Sequence, residues 1–208
     1  MKSLFDWDSP ATRFLNTVAD LFLLNILTLI CSIPLFTIGA AQTAMYDVIG
    51  RMTRGEPYAI WKDYWRGFKS NFKQATVLWL LFLVSGLLLG FSLWFYLVRG
   101  SEFSRILVIL VGILCVFWLG ALSWVFPLQS RFDNPMKHTI RNALYCAVFQ
   151  FPKTVIATSC GILPWVLLVT EFAWFLRLGL LWLLLWPALT AYITMQLYKK
   201  PFSMIVDQ

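Results

Sequence analysis

An all-α bundle that crosses a membrane about five times is the fold class this sequence predicts. Of its 208 residues, 60% are hydrophobic and 13% charged, against about 45–50% and about 25% in a soluble domain. Apolar runs of 18 residues or more recur along the chain, each long enough to cross about 30 Å of hydrocarbon as a helix. The runs are continuous and leucine-rich, whereas a transmembrane β-barrel needs strict alternation over about ten residues. The same composition excludes disordered, collagen-like and disulfide-stapled secreted chains.

The first apolar run starts near Phe14 and continues to about Ile49, broken by Pro34. Gly39-Ala40-Ala41 resembles a small-residue cleavage site, but Asp6, Asp8 and Asp20 are wrong for the basic start of a signal peptide. The segment therefore reads as an uncleaved span over about 17–36. A kink at Pro34 and a more polar stretch ending near Gly50 follow it. The alternative divides 14–50 into two short helices and gives six spans with both termini inside. Its second helix would hold only about 15 residues, short of the usual minimum of about 17, so five spans are preferred.

Next comes an amphipathic interfacial helix over about 57–73, then spans at about 75–98 and 106–127. A second interfacial helix over about 136–151 leads into a span at about 154–170. The last span covers about 178–198, with a kink expected at Pro187. Trp94-Phe95-Tyr96, Trp124 with Phe126, and Trp174 stand near span ends, where aromatic side chains anchor in the interface. Trp118 and Trp182 fall deeper, so each indole N–H needs an acceptor.

The net charge is +7, from 17 Lys and Arg against 10 Asp and Glu. Because the basic residues stand between apolar runs, the excess reports topology and anionic lipid rather than nucleic acid. Arg51, Arg54, Lys62, Arg66, Lys69 and Lys73 share one connection; Arg131, Lys137, Arg141 and Lys153 share another; Lys199 and Lys200 lie in the tail. The minority are Lys2, Arg13, Arg99, Arg105 and Arg177. With five spans, the carboxyl terminus is cytoplasmic and the amino terminus outside.

Three groups of residues have possible functional content. Asn25, Thr28 and Ser32 fall on one helical stripe, and beyond Pro34 come Thr37, Gly39, Gln42, Thr43 and Asp47. Polar side chains at membrane depth need partners or a cavity. Trp61, Trp65, Phe68 and Phe72 recur at helical spacing, with Lys62, Arg66, Lys69 and Lys73 following the same spacing one residue later. An aromatic face beside a basic one suits lipid anchoring or the docking of a partner. Gly86 and Gly90 form a small-residue step that permits close helix approach.

Catalysis has little support in the sequence. Phosphate-cradling glycine loops, zinc-protease histidine pairs and nucleophile-elbow motifs are missing. Asp47, Glu102 and Glu171 stand near span ends rather than in an acid–base chain. His138 is the lone histidine, and Cys31, Cys115, Cys146 and Cys160 read as small apolar side chains. No enzyme activity, cofactor or metal is expected.

Asn25, Cys31-Ser32-Ile33-Pro34, Thr37-Ile38-Gly39-Ala40-Ala41, Ala44 and Tyr46 form a pattern, followed by Asn71-Phe72-Lys73-Gln74, Arg131-Phe132 and Thr139-Ile140-Arg141-Asn142-Ala143. Together they resemble the YesL-like family of small bacterial integral membrane proteins, long classed as a domain of unknown function. The resemblance implies a multi-pass helical bundle in the bacterial cytoplasmic membrane. It also implies association with oligosaccharide ABC importers and two-component regulators, near which such proteins are encoded; it carries over no catalytic residue. The Glu-Ala-Ala signature by which sugar permeases contact their ATPase is missing. The expected function is thus an accessory, non-catalytic membrane protein that contacts permease subunits of a sugar ABC importer. The alternatives are a small transporter or channel, or a sensing partner of a membrane histidine kinase.

Overall fold

The computed structural model describes residues 10–99, 102–170 and 172–206, all of its regular structure being helical. The first helix, α1 (Pro10–Cys31), opens on a proline, whose missing N–H costs nothing in a first turn. It ends before Pro34, which disfavours helix in the residue preceding it. The hydroxyl of Thr37 lies 2.6 Å from the carbonyl oxygens of both Cys31 and Pro34 and donates between them, sealing the break. After a 3-10 turn over Leu35–Thr37, α2 (Ile38–Arg54) begins. Gly55 stops it at φ 72°: its N–H donates to the carbonyl of Met52, and that of Glu56 to Arg51. This left-handed stop suits glycine.

The chain then forms α3 (Ile60–Arg99), whose first turn is closed by Asp63 accepting from the N–H of Ala59 at 2.7 Å. Helix α4 (Glu102–Arg131) passes through Pro127, α5 spans Met136–Phe149, and α6 spans Phe151–Thr170. The α5–α6 junction at Gln150 bends by 103°. Last comes α7 (Phe172–Val206), which continues through Pro187.

Contacts fix the directions. Gly39 of α2 packs on Ala75 and Trp79 of α3, while Asp47 lies beside Gly67, so these helices are antiparallel. A Cβ on Gly39 would run into the carbonyl of Ala75, so only glycine permits this approach. Asp20 of α1 accepts from the Tyr58 hydroxyl, and Thr28 meets Tyr64, so α1 runs with α3 and against α2. Helix α4 returns along α3, with Trp118 against Ser85 and Gln129 against Gln74. Helix α7 runs with α4, Tyr198 stacking on Trp124 and Phe202 against Phe132. The start of α1 and the end of α7 therefore lie at one end of the bundle.

The expected first span over 17–36 is present as a candidate at Ala11–Cys31, but its end is corrected by this path. The chain breaks at Ser32–Thr37 and doubles back as α2, the course of the alternative two-helix division. Helix α2 is also the most enclosed: Ala40, Ala41, Ala44, Val48 and Ile49 are fully buried. Small residues let it sit close to α1 and α3, so burial here follows from packing rather than apolar length. The expected helix over 57–73 is present from Ile60 but does not stop before 75. It forms the first turns of α3, 40 residues and about 60 Å long, continuous with the expected 75–98 span. Trp124, expected as an interfacial anchor, is fully buried and donates its indole N–H to Thr154 at 2.8 Å.

Among the described residues, three helices are long and apolar enough to cross a membrane: Ala11–Cys31, Ile60–Val98 and Ser104–Arg131. The bent pair Met136–Phe149 with Phe151–Leu163 makes a fourth if it is one span. The expected 178–198 span lies within α7. Their outer faces expose Leu87, Leu88, Phe91, Ile109 and Leu110, which suits lipid rather than water. Lys2 and Glu171 lie outside the described residues, as do the side chains of Arg99, Glu102, Trp174, Arg177, Trp182 and Lys200.

Candidate functional site

The polar residues expected to act together over 25–47 divide among three environments. Asn25 and Thr28 are buried on α1, where Thr28 donates to the Leu24 carbonyl at 2.8 Å and stands beside the Tyr64 hydroxyl. Ser32, Pro34 and Thr37 form the break; the N–H of Ser32 still reaches the Thr28 carbonyl at 2.9 Å. Thr43 donates back to Gly39 at 2.8 Å within α2, and Gln42 is half-buried. Asp47, half-buried, pairs with Arg51 at 3.5 Å. The hydroxyls of Thr28 and Thr43 thus donate to backbone carbonyls of their own helix, and that of Thr37 to carbonyls at the break. Asp47 alone of the set opens onto a polar cavity.

On α3 the expected aromatic face is present. Ring centroids step from Trp61 to Trp65 by 6.0 Å, to Phe68 by 5.6 Å and to Phe72 by 5.4 Å. Trp61 leaves 66% of its surface uncovered, and Phe72 is also exposed. Lys62, Arg66, Lys69 and Lys73 are exposed beside them, Arg66 pairing with Asp63 at 2.7 Å. The face thus joins an inner edge held by Tyr64 to an outer edge that nothing among the described residues covers. The expected glycine step splits in use. Gly86 receives the Trp118 ring, whose N–H donates to Ser85 at 2.9 Å, whereas Gly90 has no heavy atom within 4 Å of where a Cβ would stand.

Two features escape a sequence reading. One is a polar clamp across α3, α4 and the start of α5. The Gln74 amide donates to Gln129 at 3.0 Å and to the Asn134 carbonyl at 2.6 Å, and Gln129 in turn donates to Asn71 at 3.1 Å. Thr139 reaches the Gln129 oxygen at 3.4 Å. The clamp joins Asn71–Gln74 to Thr139, two of the segments that carry the family resemblance. Only Gln129, an amide near the end of an apolar run, could have signalled it.

The other feature is the polar cavity, about 180 Å³, between the ends of α2, α4 and α7. Arg51, Arg54 and Arg131 line it with Asp47, Ser130 and Met195. Arg54 holds Glu56 through two hydrogen bonds, one of them 2.9 Å, and its guanidinium keeps that carboxyl below the usual glutamate range. In the same connection, burial and the Asp20 carboxylate push the Tyr58 hydroxyl up to about 12. The basic residues read as topology signals, and only the folded chain shows that three of them converge. Among the described residues, no three His, Cys, Asp or Glu side chains gather as a metal site would require. All four cysteines are free.

Residues 21–93 match the DUF624 family, described as a protein of unknown function. The match is consistent with the YesL-like resemblance and covers just over a third of the chain. No curated protein and no solved structure matches. The DUF624 segment contains the second half of α1, all of α2 and most of α3. It thus holds the hairpin and the aromatic face, while Gln129 of the clamp and Arg131 of the cavity lie beyond it.

Proposed function

We infer that the chain is an accessory, non-catalytic membrane protein that docks onto permease subunits of a carbohydrate ABC importer. The observation that carries this reading is the exposed half of the Trp61–Phe72 ladder. It stands on a segment of α3 already braced by α2, so the face is rigid before a partner arrives. Aromatic anchors beside basic residues suit an interface with a polar rim. The apolar outer face of α1, with Phe14, Leu15, Leu23 and Ile30 exposed, extends the surface available to permease helices.

We place the arginine-bearing end of the bundle on the cytoplasmic side of a bacterial cytoplasmic membrane. Because α1 doubles back, the start of α1 joins the end of α7 on that side, replacing the amino-terminus-outside arrangement. Transport through the chain itself ranks second. A path would use Asn25, Thr37, Gln42 and Asp47, and these side chains divide among separate environments. A sensing role beside a histidine kinase draws only on the family context.

The test is replacement of Trp61 and Trp65 by Ser in the full chain. Permease subunits should be lost from mild-detergent purifications while membrane insertion and melting temperature stay unchanged. Equal permease recovery with the variant would overturn the docking role.

A further inference from the structure

The cavity between α2, α4 and α7 holds more positive charge than its own carboxylates balance. Arg51, Arg54 and Arg131 converge on it, and Asp47 and Glu56 are the acids at hand. Glu56 is bound by Arg54. Asp47 sits 3.5 Å from Arg51 Nε, and that buried N–H has no hydrogen-bond partner. Arg131 has no ion pair among the described residues; its guanidinium rests over the rings of Phe202 at 5.3 Å and Phe132 at 5.9 Å. Stacking of this kind fixes the fork while leaving its in-plane N–H donors open.

Each arginine alone has an ordinary explanation. All three stand in the last turns of α2 and α4, where the helix dipole favours a cation. That does not explain why they surround one cavity, since Arg54 and Arg131 lie close enough to repel each other. Gly50 deepens the arrangement: a Cβ there would meet the Arg54 guanidinium at 3.1 Å and the Met195 methyl at 2.9 Å. The space of about 180 Å³ is large enough for one compact anion.

We propose that this cavity binds a single phosphate group, carried either by a lipid headgroup or by a small phosphorylated solute. Guanidinium forks match phosphate oxygens in pairs, and one phosphate satisfies the open N–H of Arg51 and the unpaired charge of Arg131 together. The site lies beyond the docking surface on α3 and does not depend on it. Helices α2, α4 and α7 meet there, so an occupied cavity ties the DUF624 segment to the rest of the bundle.

The test uses the full chain in a maltoside detergent, which carries no phosphate. Inorganic phosphate is added against chloride at matched ionic strength, and short-chain phosphatidylglycerol in a separate series, reading melting temperature and bound ligand by native mass spectrometry. At least one probe should bind one-to-one and raise the melting temperature. Arg131→Gln and, separately, Arg51→Gln should weaken it by about tenfold or more, while Lys137→Gln, an exposed charge outside the cavity, leaves it unchanged. Binding of phosphatidylglycerol but not phosphate assigns a lipid headgroup, and the reverse assigns a soluble phosphate. If wild-type chain binds neither, or if folded Arg131→Gln and Arg51→Gln chains bind as well as wild type, the proposal fails.

Discussion

Gly39 and Gly90 make opposite use of the same residue type. At Gly39 the backbones of α2 and α3 are so close that an added methyl must displace the Ala75 carbonyl. Gly39→Ala should therefore destabilise the chain by about 1–3 kcal/mol, read as a lower melting temperature in detergent. Gly90→Ala, which meets nothing, should leave melting unchanged. Gln129 holds one amide in three hydrogen bonds, so Gln129→Leu removes one partner each from Gln74, Asn71 and Thr139. The expected loss is about 1–2 kcal/mol, since membrane hydrogen bonds contribute modestly. Glu56 gives a pH signature. Its carboxyl is held low by Arg54, so its contribution is present above the ordinary glutamate range and lost as pH falls through the lowered value. Melting against pH should therefore be flatter on the acid side in Glu56→Gln than in wild type. At this level the sequence was informative about which positions matter, Gly39 and Asn71–Gln74 among them. It was silent on partners, because a hydrogen bond across 55 or more residues leaves no local pattern.

The elements show where apolar length stops being a guide. Helix α3 is one rod although its composition changes abruptly near Ala75, because neither half contains a proline or a strong stop. Charge pattern marks a change of surroundings there, not a break in the backbone. Helix α2 is the converse case. Its 17 residues are too few and too polar to read as a span, yet Ala40, Ala41 and Ala44 make it the centre of the packing. Small-residue packing is invisible to hydropathy, which is why the hairpin ranked second to a single kinked span. Helices α4, α5 and α6 lie within about four residues of the expected bounds, because their apolar runs end at charged or proline-bearing connections, whereas α7 starts six residues before and ends eight residues after the expected 178–198. Placing a bulky side chain at Ala44, fully buried on α2, should abolish the fold, whereas the same change at the exposed Leu88 should be tolerated. Trypsin resistance of membrane-inserted protein distinguishes them.

For the whole molecule, the hairpin decides topology. Doubling α1 back as α2 brings the start of α1 to the end where α7 finishes and where Arg51, Arg54 and Arg131 gather. Reporter fusions joined before α1 and after α7 should therefore both report a cytoplasmic location; a periplasmic signal from the first fusion would restore the five-span order. Composition alone gave the class of protein correctly, since continuous apolar runs leave a chain few folds other than a helical bundle. The proposed function drew on the family context alone at the level of sequence, because the surface that would meet a partner is a geometric property of the folded α3. The most direct test of that docking role is mild-detergent purification of the tagged chain from its native membrane, followed by quantitative mass spectrometry. Sugar-importer permease and ATPase subunits in near-equal amounts are the predicted result. Recovery of the chain alone or as a homo-oligomer, with solute flux after reconstitution into liposomes, would contradict the accessory role and make the chain a transporter itself.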